Sequence, residues 1–222
     1  GLRHYFLRVP IRKKDDYLRR LTHIEDFHGL IFFNQLTELG VMEEKLLYRG
    51  VPVGSLASDQ NKLLRKAALE QFKKKMVRAL LTTDVAARGL DITGLPYVVN
   101  AEVPLSEEAY LHRSGRTGRM GNEGIVITLV QDNNLRDLKR LLRPSNITLE
   151  EIFLYGGKLQ TEQPTKEDAA PAVNKKYAKT FSGKEQNPEY NKEKIRKKVP
   201  EFDINKISFE DSEVYRMMSQ GK

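Results

Sequence analysis

Apolar and polar positions along this 222-residue chain fall into two kinds of block. The first kind is a short, nearly continuous apolar run, seen at residues 4–9, 30–33, 53–56, 77–82, 97–100 and 124–130. Runs of this length suit strands of a parallel sheet, which are buried on both faces. Pro10 stops the first of them. The second kind brings an apolar residue back every third or fourth position, the period of a helix with one buried face. Residues 15–26 do this through Leu18, Leu21 and Ile24, and residues 35–48 through Leu36, Leu39, Met42, Leu46 and Leu47. Gly50 lies just past the end of the second helix, although Gly40 inside it weakens the pattern. Residues 61–75 place Leu64, Ala67, Ala68 and Phe72 on one predicted helical face. Ser106 followed by Glu107 and Glu108 supplies an N-cap and first-turn acids for a helix through Tyr110 and Leu111. Thr148-Leu-Glu-Glu151 has the capping-box spacing and predicts one more helix. Strands alternating with helices mean an α/β fold, a parallel sheet with helices on both faces. In such sheets ligands sit at the carboxyl ends of the strands.

The character changes near residue 157. Residues 161–172 are rich in Pro, Ala and charge with no apolar period, and residues 174–198 are rich in Lys and poor in large aliphatics. Such a composition buries too little surface to offset chain entropy. We expect a domain over 1–156 and a basic, largely disordered tail over 157–222. Scattered Phe, Ile, Tyr and Met over 202–218 would suit a short element there. Lys175, Lys176, Lys179 and the Lys194-Ile-Arg-Lys-Lys198 run read as an electrostatic tether or as a solvated linker.

Composition narrows the chemistry. Without Cys there is neither a disulfide framework nor a thiolate metal site. The four His have no metal-ligand spacing, so no metal site is expected. No apolar run reaches the ~20 residues that span a bilayer, and no secretory signal is present. A cytoplasmic protein without membrane contact is the expectation. The formal net charge of +8 suits a polyanionic partner, or simply a moderately basic protein.

The densest chemistry lies in Tyr110-Leu-His-Arg-Ser-Gly-Arg-Thr-Gly-Arg119, where Arg113, Arg116 and Arg119 recur every third residue with Gly115 and Gly118 between them. Two glycines so close argue against a plain helix and for a tight loop that aims guanidinium groups at one small charged target. A nucleoside triphosphate fits, since the planar fork of Arg pairs with phosphate oxygens bidentately. On spacing alone the same residues also fit a basic patch facing solvent. Upstream lies Thr83-Asp84-Val-Ala-Ala-Arg88-Gly89-Leu-Asp91, directly after the apolar end of a predicted strand.

Together these two stretches resemble motifs V and VI of the DEAD-box RNA helicases, in the family's order, and the resemblance extends over residues 1 to about 155. It implies a second, C-terminal RecA-like domain of an ATP-dependent RNA helicase that separates short RNA duplexes. Two such domains would close on ATP and RNA, bend the duplex at their joint, and release it after hydrolysis. Arg116 and Arg119 would then be arginine fingers at the γ-phosphate, with a structural salt bridge as the alternative. Asp91 would accept hydrogen bonds from a ribose hydroxyl, or else cap a turn. Gly89 beside it would permit close backbone approach. His112 and Arg113 would couple to the first domain, or form a local polar pair.

RNA contacts are implied for Asn34, Lys62, Arg65 and Thr83. Gln35, Ala57, Ser58 and Lys62 depart from the family's usual Thr or Ser, His, Gly and Gln, and Lys62 and Arg65 also fit an exposed helix face. No G-x-x-x-x-G-K-[ST] phosphate loop and no Asp-Glu-Ala-Asp run occurs, and the chain begins at Gly1. The expected reading is one half of a longer enzyme. Its cofactor would be ATP with Mg²⁺, the metal held by an N-terminal RecA-like domain of the same protein, and this half alone would be inactive. A stand-alone RNA-binding or scaffold protein, or a DNA helicase of the wider superfamily, are the other readings.

Overall fold

The computed structural model describes residues 1–57, 61–118 and 121–168. Seven strands form one sheet: β1 (Leu2–Arg8), β2 (Gly29–Phe33), β3 (Val53–Ser55), β4 (Ala79–Thr83), β5 (Tyr97–Asn100), β6 (Gly124–Val130) and β7 (Leu149–Glu151). Their order across the sheet is β3-β4-β2-β5-β6-β1-β7, and every pairing is parallel. The central strands β2, β4 and β5 are buried along their whole length, which is why they read as largely apolar runs, with polar residues only at the carboxyl ends of β4 and β5. Gly29 lets β2 approach β5 closely, since a Cβ there would lie 2.4 Å from the carbonyl oxygen of Tyr97.

The helices are α1 (Lys14–Thr22), α2 (Leu36–Tyr48), α3 (Lys62–Lys73), α4 (Asp84–Ala87), α5 (Glu107–Ser114) and α6 (Leu135–Leu142). Two apolar clusters cover the two faces of the sheet. Leu18 and Leu21 of α1 and Leu39, Met42 and Leu46 of α2 pack on one face. Phe72 of α3, Tyr110 of α5 and Leu135, Leu138 and Leu142 of α6 pack on the other. The α3 face is rotated from its predicted position. Leu64 is 59% exposed, and Ala68, Leu69 and Phe72 make the contact instead.

The helix predicted at Thr148 does not form. Residues Leu149–Glu151 instead pair with β1, Leu149 opposite His4 and Glu151 opposite Phe6, and the Ile152 amide donates to the Phe6 carbonyl at 3.0 Å. A cap is worth only about 1 kcal/mol. Pairing satisfies the open edge of β1 and buries Ile152 and Leu154, which outweighs it. A 3-10 turn at Arg143–Ser145, ending in the left-handed Asn146, sets up this change of direction. Helix α6, which sequence reading did not single out, has the plainest apolar stripe of all. A separate hairpin, β8 (Phe153–Tyr155) and β9 (Lys158–Gln160), turns through Gly156 and Gly157 at φ +63° and +71°. The expected boundary at 156/157 therefore falls in the turn of this hairpin. The lysine-rich stretch at 174–198 and the segment at 202–218 lie outside the described residues. No helix of the described residues is long and apolar enough to cross a membrane.

Candidate functional site

Because β2, β4 and β5 are parallel neighbours, their carboxyl ends bring Asn34, Thr83 and Asn100 to one edge of the sheet. Arg113 of α5 reaches that edge and ties it together. Its side chain is 1% exposed. Nε and Nη2 donate to the two carboxylate oxygens of Asp84 at 2.8 and 2.6 Å. Nη2 also donates to Asn34 Oδ1 at 2.9 Å, and Nη1 to Asn100 Oδ1 at 3.3 Å. The guanidinium lies 5.2 Å from the centre of the Phe32 ring. Each amide is used at its other end as well: Asn34 donates to the Val103 carbonyl at 3.0 Å and Asn100 to Thr128 Oγ1 at 3.1 Å. A buried charge survives only when paired and saturated with hydrogen bonds, and this one is.

The expected loop of three arginines is thus divided. His112 and Arg113 belong to α5, and the turn begins at Gly115, the helix C-cap. Arg113 faces inward with its guanidinium bonded inside the domain, so any coupling to another domain runs through its partners. Asp84 and Asn100 are the partners of Arg113 that sequence reading passed over. Asn100 carried a signal, a polar residue closing the buried Val98-Val99 run. Glu102 lies just beyond. Its Oε1 is buried without a hydrogen-bond partner. Burial pushes its carboxyl above the usual carboxylate range, opposed by Lys14 and Arg113 and reinforced by Glu38.

Arg116 has different surroundings. It is partly exposed and donates to the backbone carbonyls of Leu90 and Ala87, the latter at 3.1 Å, with a longer contact of 3.4 Å to Ile92. It therefore holds the segment that carries Gly89 and Asp91. Leu95 fastens the loop from below: its amide donates to the Arg116 carbonyl at 3.1 Å, and its carbonyl accepts from Gly118 at 3.3 Å. Gly118, at φ +65°, sits against Gly124, where a Cβ would come within 2.5 Å of the Gly118 nitrogen. Arg119 lies outside the described residues. Gly89 is at φ +77° with open space around it, and Asp91 is exposed.

Thr83 is buried, and its hydroxyl accepts from the Ala86 amide at 3.3 Å as the N-cap of α4. Arg65 of α3 donates to the Ala86 carbonyl, bracing the same turn. Lys62, the first residue of α3, is exposed beside the side-chain cap made by Asn61. Of the four residues read as RNA contacts, only Lys62 makes no side-chain hydrogen bond among the described residues. His112 is exposed, with Nε2 4.0 Å from Glu108 Oε1.

An open cleft of about 890 Å³ runs along this edge, lined by Asp84, Arg88, Ser106, His112, Arg113 and Arg116 among others. Exposed Arg88 and partly exposed Arg116 give it cationic donors. Those donors fit the phosphates of a nucleotide, and Arg116 holds the neighbouring segment that carries Gly89 and the exposed Asp91 carboxylate. Among the described residues no three His, Cys, Asp or Glu side chains could together hold a metal ion.

Comparison with known proteins agrees with this geometry. The model of the helicase conserved C-terminal domain matches residues 13–121. The probable ATP-dependent RNA helicase YfmL of Bacillus subtilis is 40% identical over 161 residues, covering 72% of this chain and 43% of its own length. The chain thus spans less than half the length of that curated relative, and 45% of a second, CshC of Bacillus cereus. The E. coli DEAD-box protein SrmB, solved bound to regulator of ribonuclease activity A, matches with a TM-score of 0.65 at 25% identity, over 75% of this chain and 99% of that one. S. cerevisiae Dbp5, solved bound to RNA and ADP BeF3, matches with a TM-score of 0.59 at 27% identity, over 68% of this chain and 41% of that one. The parallel sheet, the two motif stretches at its carboxyl edge and these likenesses agree: this is a C-terminal RecA-like domain of the DEAD-box helicase family.

Proposed function

We propose that the chain acts as the C-terminal half of an ATP-dependent RNA helicase, completing a nucleotide site whose other wall is an N-terminal RecA-like domain. The observation that carries this reading is the division of labour at the carboxyl edge. Arg113 locks the strand ends from inside, while Arg116, Arg88 and His112 border an open cleft that lacks a phosphate-binding loop. Such an edge is half a site. The likeness to Dbp5 bound to RNA and ADP BeF3 supports the same pair of ligands here.

Bound ATP would supply the phosphoryl group, with Mg²⁺ placed by the other domain's carboxylates. Arg116 and Arg119 would stabilise charge on the transferring group, the main route by which phosphoryl transfer is accelerated. For that, Arg116 exchanges some of its carbonyl partners for phosphate oxygens, and the guanidinium geometry is already planar and held. Asp91 would orient the ribose, with Gly89 allowing close backbone approach. His112 and, indirectly, Arg113 would report closure to the other domain. Lys62, Arg65 and Thr83 would meet the RNA backbone, with Asn34 shaping the same surface. Local strand separation follows if the two domains bend the duplex as they close, since ligands drive closure only through contacts absent in the open state.

The test is ATP hydrolysis by the protein that joins this chain to an N-terminal RecA-like domain, measured with and without RNA. RNA should raise turnover. RNA binding without any hydrolysis would leave the scaffold reading in its place, and stimulation by DNA alone would point to a DNA helicase.

A further inference from the structure

Away from the cleft, α6 presents a face that the fold does not need. Its packing is complete with Leu135, Leu138 and Leu142, all buried. The flank beside them carries Arg136, Lys139, Arg140 and then Arg143, all exposed, at the three- and four-residue spacing of one helical face. With Arg8 these line a groove of about 600 Å³. Carboxylates neutralise only part of the cluster. Asp132 and Glu151 pair with Arg8 at 2.5 and 2.8 Å, and Asp137 lies 3.8 Å from Arg140. Among the described residues Arg136, Lys139 and Arg143 have no ion pair. The helix dipole accounts for the cations near the C-terminal end of α6 but not for Arg136, which sits in the first turn where a positive charge is disfavoured.

We propose that this face is a second, sequence-independent contact for RNA phosphates, holding the RNA that flanks the segment engaged by Lys62, Arg65 and Thr83. The proposal rests on the reading of Lys62, Arg65 and Thr83 as RNA contacts. Three of the four exposed cations on the face are arginines, whose fork matches phosphate oxygens. From Arg136 to Arg143 the helix rises about 10 Å, enough to meet successive phosphates of one strand. The end of α6 is also tied to the start of α5. The Ser145 hydroxyl at the end of the α6 turn donates to the Glu107 carboxylate at the start of α5, and neighbouring Ser106 and Glu108 line the cleft. Helices α3, α5 and α6 pack on the same side of the sheet, so Lys62 and Arg65 of α3 share that side with the basic face.

The test uses the 222-residue chain and a triple variant, Arg136→Gln, Lys139→Gln and Arg143→Gln, with matched thermal unfolding as the control for folding. Binding is measured for a short labelled RNA that spans only the surface of Lys62, Arg65 and Thr83, for one about three times as long, and for polyglutamate. For the long RNA, Kd should rise at least about tenfold at about 0.1 M salt, and the log–log salt slope should flatten by about 2, roughly 0.7 for each lost single-strand contact. Affinity for the short RNA should not change. Equal affinities of variant and wild type for the long RNA would overturn the proposal. So would an equal loss for short and long RNA, or a loss confined to polyglutamate, which would mark the face as a seat for an acidic protein. Wild-type chain that binds neither RNA would instead remove the underlying RNA reading.

Discussion

Arg113 and Arg116 are one helical turn apart in sequence and have opposite surroundings. Arg113 is sealed under α5, satisfied by a carboxylate and two amides, and holds three strand ends in register. Arg116 sits on the wall of an open cleft and is held by backbone carbonyls. A carboxylate pair is a strong, directional tie that keeps an arginine in place. Carbonyls orient a guanidinium without neutralising it, so its charge remains available to an anion. The comparison separates an arginine that ties strand ends together from one whose charge faces an open cleft, within a single motif, and it can be broken experimentally.

The largest expected effect is on turnover. In the protein that includes the N-terminal domain, Arg119→Ala should lower RNA-stimulated ATP hydrolysis by at least about 100-fold while RNA binding persists, since arginine fingers are worth roughly 10³–10⁵ in rate. Arg116→Lys should also fail, because a compact ammonium cannot span two phosphate oxygens. Near-normal turnover in both would reduce these residues to structural charges.

Next comes stability, where the order reverses. Arg113→Ala strands Asp84 and two amides and should cost about 3–5 kcal/mol in urea unfolding. Arg116→Ala removes only partly exposed bonds to carbonyls and should cost about 1–2 kcal/mol. Equal costs would erase the distinction between the two arginines. A smaller effect is expected at Thr83. Losing the α4 cap in Thr83→Ala should cost about 1 kcal/mol, whereas Thr83→Ser should keep it. If the alanine variant weakens RNA binding and the serine variant does not, the hydroxyl serves both the cap and the backbone contact.

The smallest effect lies under α5. His4 Nδ1 is 2.7 Å from the Tyr110 hydroxyl, and burial holds the His4 imidazole below its ordinary value of 6.5. A lowered folded value means that its contribution to stability is fully present above about 6.5 and is lost as pH falls through the folded value. His28 is lowered in the same direction by burial, against an opposing hydrogen bond that its ring donates to the Phe72 carbonyl. Melting temperature should therefore drop on mild acidification, and His4→Gln should make that drop shallower. An unchanged profile would show that His4 protonates freely in the folded state.

Local sequence rules read the middle of this fold well and its rim poorly. β5 and β6 were legible to the residue, because a strand buried on both faces has no choice but a continuous apolar run. The Ser106 cap was equally legible, its hydroxyl accepting from Ala109 at 3.1 Å. Thr148 misled, since a capping signal says nothing about an unpaired strand edge more than a hundred residues away. The site divides in the same way. The two motif stretches stand out in sequence, and the cleft lies where they meet. That Arg113 faces inward was not legible, because its partners Asn34, Asp84 and Asn100 come from three separate strand ends that only the sheet order brings together.

The central claim is that this chain is half of a site, and the most direct measurement is ATP hydrolysis by the purified 222-residue chain alone. With neither a phosphate-loop lysine nor a carboxylate pair for Mg²⁺, it should show no turnover above background, with or without RNA, and should bind ATP weakly at most. RNA-stimulated turnover by the chain alone would contradict the account.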